Sequence, residues 1–428
     1  MKVAFHTLGC KVNQCETEAL ADRFKTKGHE IVSADGPADV YIINTCTVTG
    51  PADRKSRQCI RRGKRLNPNA IVAVTGCYAQ LNPTEVLGLE GVDIVCGNNE
   101  KMSLPELVEE FQKKAAPACS EAPVNASLAE SRTRAYIKIQ DGCERFCAYC
   151  IVPYARGELR SKPVQSVLSE AEALIGAGRK EIVLTGINTA LYKSAEGYGI
   201  EEVIGELNRL SGDFRIRLSS LEPTVIDVGF VKKLLKYERL CRHMHLSLQS
   251  GSDRVLKLMN RRYDISGYLE IVRALLAFDP GYGISTDIIA GFPGESEDDL
   301  SESLKIVGDV DFCKTHVFKY SGRKGTAAYG MDGQVGGKEK NRRVALLIAG
   351  GEESARRFFR SNLGGKRRVL LEEYIEKGGV FTGFTENYIR VYINSNYVNK
   401  SDLNTFIDVR LTELYGEGMK GETENDRR

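Results

Sequence analysis

The sequence predicts an α/β protein in three parts: an amino-terminal three-layer α/β domain, a central run of six βα units, and a small carboxyl-terminal antiparallel β-barrel. Short apolar runs at 2–9, 39–45 and 70–76 each precede a helix-like segment, the pattern of buried parallel strands. From about residue 133, six more strand-like runs alternate with helical spacing, as in a parallel βα barrel or sheet. From 366 to about 414 the pattern changes to closely spaced alternating segments, as in a small closed barrel.

Composition sets the class. A chain of 428 residues with 42% hydrophobic and 27% charged residues is long enough for two or three domains with ordinary cores. Met1 to His6 lead straight into a strand-like run, and no stretch approaches the roughly 18 apolar residues of a membrane span, so no membrane and a cytoplasmic location are expected. Twelve cysteines in such a chain point to metal ligation or buried small hydrophobes rather than disulfides. The net charge of +3 decides nothing globally. Locally, residues 51–65 carry Arg54, Lys55, Arg57, Arg61, Arg62, Lys64 and Arg65 against the single acid Asp53.

Each of the first three strands is followed by a cysteine: Cys10, Cys46 and Cys77. Ligands bind beyond the carboxyl ends of parallel strands, so these thiols are expected to converge on one edge. The competing reading is that they are ordinary buried cysteines. Cys15, Cys59, Cys96, Cys119, Cys241 and Cys313 lack that placement and are read as structural. Residues 113–132 have the composition of a polar linker.

In the central part, strands are expected at 135–140, 181–185, 215–219, 243–249, 283–290 and 316–320, with helices such as 164–177 and 227–237 between them. The loop after the first strand holds Cys143, Cys147 and Cys150. A structural zinc wants a fourth nearby ligand, and no cysteine or histidine follows until Cys241 and His243. Three thiolates on a four-iron cluster instead leave one iron open for chemistry, and the carboxyl end of a barrel strand is where such folds keep it. Other strand ends carry Gly186 and Asn188, Glu222, and Gln249, which offer close backbone approach or hydrogen bonds to an amine or ribose. The competing reading of each is ordinary turn chemistry.

A long helix follows at 338–362, whose Arg342, Arg343, Arg356, Arg357 and Arg360 are read as a solvated charged face. In the terminal barrel Tyr388, Arg390, Tyr392 and Tyr397 can stack on bases and meet phosphates. Residues 416–428 have the composition of a disordered tail.

With these residues in view, the chain resembles the radical S-adenosylmethionine methylthiotransferases over essentially its whole length. Cys143, Cys147 and Cys150 show the C-x3-C-x2-C signature, and Ile151-Val152-Pro153-Tyr154-Ala155-Arg156-Gly157 matches this branch. The stretches 6–14 and 44–49 are most similar to the branch that modifies threonylcarbamoyladenosine beside the anticodon of tRNA. Ser321-Gly322-Arg323-Lys324 departs from the usual Pro after the Ser.

The resemblance implies an auxiliary-cluster domain at 1–112, a linker at 113–132, a partial (β/α)6 radical-SAM barrel at 133–362 and a TRAM RNA-binding barrel at 363–428. It also implies two [4Fe-4S] clusters, one on Cys143, Cys147 and Cys150 that binds S-adenosylmethionine and generates a 5′-deoxyadenosyl radical. The other, on Cys10, Cys46 and Cys77, would carry the sulfur that becomes the methylthio group on carbon 2 of adenine. Gly186, Asn188, Glu222 and Gln249 are then candidate cofactor contacts, and Arg54, Lys55, Arg57, Arg61, Arg62, Tyr388 and Arg390 candidate tRNA contacts. A reducing donor such as flavodoxin or ferredoxin is implied, with the sulfur donor undetermined. The alternatives are a sister methylthiotransferase acting on isopentenyladenosine or a ribosomal-protein aspartate, and a non-catalytic RNA-binding metalloprotein.

Overall fold

The computed structural model describes residues 1–115 and 133–423, so Cys119 and most of the expected linker lie outside the described residues. The chain divides into two compact units. One comprises Met1–Ser131, Gly142–Leu159 and Ser321–Tyr329; the other comprises Arg132–Asp141, Arg160–Tyr320 and Gly330–Arg428.

The first unit is a parallel sheet of β1 (Lys2–Thr7), β2 (Glu30–Val32), β3 (Val40–Thr45), β4 (Ile71–Gly76) and β5 (Ile94–Val95), in the order β2-β1-β3-β4-β5. The sequence pattern reveals β1, β3 and β4. It passes over β2 and β5, the two outer strands, which are too short to show a period. Helices α1 (Lys11–Thr26), α2 (Gly50–Leu66), α3 (Cys77–Leu81), α4 (Pro83–Leu87) and α5 (Leu104–Ala115) complete the layers. Alternation along β3 divides the core in two. Tyr41 and Ile43 pack with Ile60 of α2 on one face, while Val40 and Ile42 pack with Leu20 and Phe24 of α1 and Leu104 and Val108 of α5 on the other. Thr49 caps α2 by accepting from the Ala52 amide, and Pro51 occupies its first turn. A short helix, α6 (Val152–Arg156), belongs to this unit as well.

The second unit holds β6 (Arg134–Lys138), β7 (Gln140–Asp141), β8 (Arg160–Ser161), β9 (Glu181–Thr185), β10 (Arg215–Leu218), β11 (Ser220–Leu221), β12 (His243–Leu246), β13 (Gly283–Ala290) and β14 (Lys314–Lys319). Parallel pairing gives β6-β9-β10 and β11-β12-β13-β14, with β10 and β11 separated by Ser219 alone. These are the six expected barrel strands in sequential order. Between them run α7 (Val164–Gly176), α8 (Ile200–Arg209), α9 (Val228–Leu234), α10 (Asp253–Leu258), α11 (Ile265–Phe278) and α12 (Glu297–Val310), and the apolar faces of all but α10 bury a common core with the strands.

Helix α13 (Gly337–Ser361) leads to the terminal barrel of β15 (Lys366–Ile375), β16 (Val380–Thr385), β17 (Arg390–Asn394), β18 (Phe406–Tyr415) and β19 (Gly418–Thr423), closed in the order β15-β16-β17-β19-β18. Three expectations are corrected here. The barrel is not wholly antiparallel, because β17 and β19 pair parallel to close it. Residues 418–423 are not tail: Met419 is fully buried in the barrel core and the strand pairs with β18, so closure requires it; 424–428 lie outside the described residues. Nor is α13 uniformly solvated. Arg342, Arg356 and Arg360 make exposed ion pairs with glutamates, but the side chain of Arg343 is 8% exposed and holds Glu295 at 2.8 Å.

Among the described residues no helix is long and apolar enough to cross a membrane.

Candidate active site

In the first unit, the sheet order places the topological switch between β1 and β3, the point where open parallel sheets bind ligands beyond their carboxyl ends. Cys10, at the start of α1, and Cys46, immediately after β3, flank it; Cys77 opens α3 directly after β4. Gly9 makes the approach possible. It has φ +104°, and a Cβ built on it would lie 2.8 Å from Cys46 Cβ and 3.0 Å from its Sγ. Burial pushes the Cys46 thiol up to about 11, and the neighbouring Cys77 and Cys10 thiols act in the same direction. Burial also raises Cys77, against the pull of the Arg156 guanidinium. Three sulfur donors brought from separate strand ends, with a guanidinium close by to favour thiolate, suit a [4Fe-4S] cluster.

Sequence reasoning missed the polar lattice behind these thiols. Asn13 Nδ2 donates to the carbonyls of Leu8, at 2.7 Å, and Thr45, at 3.0 Å, so one amide ties the turn before Cys10 to the strand end before Cys46. Asn13 Oδ1 accepts from Arg156 Nη2 at 2.5 Å. Arg156 Nη1 also meets Glu16 Oε1 at 2.9 Å, and Lys101 Nζ meets Glu16 Oε2 at 2.5 Å, all three residues being buried. Asn98 Nδ2 donates to the carbonyl of Ala155 at 2.8 Å. The signal available in sequence was weak: Asn13 and Glu16 recur at three-residue spacing after Cys10 along α1.

The loop of Cys143, Cys147 and Cys150 belongs to the same unit. Gly142 has φ +74°, and a Cβ there would lie 1.8 Å from the carbonyl oxygen of Glu158, so only glycine admits this crossing. The amide of Cys143 donates to Gly157 O and that of Cys150 to Cys147 O, which folds the loop on itself. Cys147 is buried, whereas Cys143 and Cys150 are half-buried. Phe146, at φ +46°, and Tyr154 are each 50% exposed and meet edge to face at the rim. The segment that departs from the usual pattern is held firmly. Arg323 Nη2 binds Thr47 Oγ1 and Asp53 Oδ2, both at 2.6 Å, Ser321 Oγ accepts from the Gly50 amide, and the Ala328 amide donates to Ala148 O. Arg323 thereby anchors the segment to the start of α2, a role that sequence reasoning did not assign.

In the second unit, three of the four candidate cofactor residues stand at strand ends as polar groups. Asn188 Nδ2 donates to Glu222 Oε2 at 2.6 Å, and Glu222 Oε1 accepts from Thr224 and pairs with Arg261 at 3.3 Å. Asn188 Oδ1 is buried without a hydrogen-bond partner, an acceptor left for a ligand donor. Gln249 has the left-handed φ of +66° while its backbone bridges to β13. Gly186, the fourth candidate, is closely packed. A Cβ there would lie 2.9 Å from Gln140 Oε1, which accepts from the Asn188 amide, so packing on Gln140 accounts for this glycine.

The basic helix α2 divides by face. Arg54, Lys55, Arg61 and Arg65 are exposed, and Arg54, Arg61 and Arg65 line an open cleft of about 880 Å³. Arg57 donates to Tyr78 Oη, and Arg62 pairs with Asp35 at 2.6 Å. In the terminal barrel, Tyr388 is corrected as a platform for a base: its ring stacks on His243 at 4.4 Å and lies 5.1 Å from Phe384, so its faces are taken. Arg390 sits beside the Tyr392 ring, which meets the exposed Tyr415, itself covered by Lys420. Tyr415 and Lys420 were missed because the sequence pattern of a strand fades beyond 414. Of the other cysteines, Cys59, Cys96 and Cys313 pack in hydrophobic cores, Cys241 is buried and Cys15 is half-buried.

Residues 2–97 match the uncharacterized protein family UPF0004, and residues 137–307 match the radical SAM superfamily. Threonylcarbamoyladenosine tRNA methylthiotransferase MtaB of Bacillus subtilis is 40% identical over 91% of this chain and 89% of its own length. MtaB of Thermotoga maritima is 38% identical over 97% and 96%. A tRNA-2-methylthio-N(6)-dimethylallyladenosine synthase of Syntrophus aciditrophicus is 30% identical over 98% and 94%. Among solved structures, the radical S-adenosylmethionine methyltransferase TsrM of Kitasatospora setae aligns with TM-score 0.55 at 16% identity, covering 74% of each chain, a likeness of fold. Near-full-length identity of this order, joined to two sets of three thiols in one unit, makes this chain a member of the MtaB family of radical-SAM methylthiotransferases.

Proposed function

We propose that this chain adds a methylthio group to carbon 2 of threonylcarbamoyladenosine at position 37 of tRNA. The observation that carries the reading is the identity of 35–40% to MtaB proteins along nearly the whole chain, above the 30–32% shared with relatives named for dimethylallyladenosine. Cys143, Cys147 and Cys150 would hold one [4Fe-4S] cluster and Cys10, Cys46 and Cys77 another. When bound, they supply reductive cleavage of S-adenosylmethionine at the first site and a sulfur atom for transfer at the second.

The remaining work belongs to the protein. Arg156 and Lys101 place positive charge beside the thiolates of the second set, with Glu16 balancing it. Asn188, Glu222 and Gln249 would orient the amino and ribose groups of S-adenosylmethionine. The exposed stripe of α2 and the aromatic-basic patch of the terminal barrel, with Arg390 at its edge, would hold tRNA phosphates and bases, so that an anticodon-loop base can be splayed out. Domain boundaries at 112, 132 and 362, a cytoplasmic location and a donor such as flavodoxin or ferredoxin accompany this reading.

Nucleoside mass spectrometry of tRNA from a deletion strain, before and after complementation with this chain, tests the substrate. Loss and restoration of the methylthio form of threonylcarbamoyladenosine is expected; its persistence in the deletion strain, or loss of the isopentenyladenosine form instead, overturns the assignment. Anaerobically reconstituted protein should carry about eight irons per chain, falling to about four when Cys10, Cys46 and Cys77 are replaced by Ala. An unchanged count sinks the two-cluster reading.

The α2 stripe makes a separate prediction. Arg61→Ala should weaken tRNA binding and reduce the slope of log affinity against log salt by roughly 1, as loss of one phosphate contact does. Arg62→Ala, whose guanidinium is engaged with Asp35, should leave the slope unchanged. Equal slopes for Arg61→Ala and the parent would remove α2 from the interface.

A further inference from the structure

A second constellation of ligand-type side chains lies in the middle of the radical-SAM strands, distinct from every cysteine. His245 of β12, Asp287 of β13 and His316 of β14 come from three adjacent parallel strands. The register pairs His245 with Ser285 and Asp287 with His316, and Asp287, two residues beyond Ser285, shares its face. On the opposite face Met244, Leu246, Ile284 and Ile288 enter the helix-packed core. The three polar side chains therefore stand together on the face away from that core, with one ligand atom from each lying within 4.8 Å of the others.

His245 Nε2 and Asp287 Oδ2 are 3.1 Å apart, an ion-pair distance, and Nε2 is shielded from solvent with no hydrogen-bond partner. Ligands each about 2.1 Å from one cation stand roughly 3.0–3.4 Å apart. The other ring nitrogen, Nδ1, lies 2.9 Å from Ser285 Oγ, which is also 2.9 Å from His243 Nε2. A metal-bound histidine usually donates its far N–H to an outer oxygen that fixes the ring, and the Ser285 hydroxyl stands in that place here. His316, the exposed member, has its ring centroid 5.9 Å from that of His245, so rotation of one surface side chain closes the set.

We propose that His245, Asp287 and His316 bind one divalent transition-metal cation of the zinc or ferrous-iron class, independently of the cysteine sites and of the substrate assignment. Two imidazoles and one carboxylate supply three N/O ligands and leave positions open to water or a ligand oxygen. The rival explanation is a plain histidine–aspartate ion pair, which needs neither His316 nor Ser285.

The test uses the full chain after anaerobic cluster reconstitution, so that the thiols are occupied. It is dialysed against chelator, equilibrated with Zn²⁺ alone, and assayed for zinc and iron together, with X-ray absorption at the zinc edge. One zinc per chain with nitrogen and oxygen scatterers only is expected. His316→Ala and Asp287→Asn should each weaken binding by roughly 100-fold or more, and Ser285→Ala by about 10–100-fold, at unchanged iron content. Absence of zinc, sulfur scattering, or equal binding by His316→Ala overturns the proposal. A Ser285→Ala protein that binds as the parent does removes the supporting role of the hydroxyl.

Discussion

Replacing Glu181 by Ala is expected to cost about 3–5 kcal/mol, a large part of the roughly 5–15 kcal/mol that holds a typical domain folded. The carboxylate is completely buried at the amino end of β9. It receives Arg215 Nε at 2.5 Å and Arg217 Nε at 2.8 Å, with Arg134 Nε at 3.5 Å. The same guanidinium groups reach the terminal barrel: Arg215 donates to Phe384 O, and Arg217 to Thr385 O and Glu386 O, while Arg134 also pairs with Glu372 at 2.5 Å. One carboxylate is thus the shared counter-charge of the three arginines that join the radical-SAM strands to the β-barrel within the second unit. Without it, those cations remain buried with carbonyls and a single outlying carboxylate for company. At about 2–4 °C per kcal/mol, thermal unfolding should shift down by roughly 6–20 °C. An unchanged midpoint would mean that water or rearrangement compensates.

The sign with pH follows from the same contacts. Although burial opposes ionisation, Arg217, Arg215 and Arg134 hold the Glu181 carboxyl well below its usual range. Its contribution is therefore fully present above the ordinary glutamate value and is lost only as pH falls through the depressed one. The parent should keep this stabilisation under mildly acidic conditions, and Glu181→Ala should show a correspondingly flatter profile at strongly acid pH.

What could be read from sequence and what could not divide along the range of the interactions. Cys143, Cys147 and Cys150 declare themselves by spacing within one loop, and Cys10, Cys46 and Cys77 by their positions after apolar runs, because strand ends can be found locally. Glu181 with Arg134, Arg215 and Arg217 cannot be found that way; each is an unremarkable charge within a strand until the sheet aligns them. Tyr388 shows the limit of periodicity. It lies outside the strands, between β16 and β17 at φ +71°, where alternation does not apply, and its ring meets His243, a residue 145 positions earlier. The parallel closure of β17 on β19 hid the last strand for a related reason, since its only local mark is the buried Met419 between glycines and lysine.

Arg156→Met should separate the two cysteine sites functionally. The guanidinium is the shared partner of Glu16 and Asn13, and Asn13 in turn clamps the carbonyls of Leu8 and Thr45 beside Cys10 and Cys46. Methionine fills comparable volume but takes the guanidinium from both Asn13 Oδ1 and Glu16, a loss on the order of 3–5 kcal/mol for a broken buried pair. The strain falls on the turns that set the spacing of Cys10, Cys46 and Cys77. Iron should drop from about eight toward about four per chain, with methylthio transfer abolished and reductive cleavage of S-adenosylmethionine retained. Arg156→Lys keeps the charge but not the planar fork that reaches Glu16 and Asn13 at once, so it should fall between the two. If Arg156→Met keeps all its iron and its product, the cysteine turns are held by their backbone alone and the lattice serves folding. If cleavage is lost together with transfer, the arginine supports the Cys143 loop no less than the sheet edge, as its place in α6, directly after that loop, would allow.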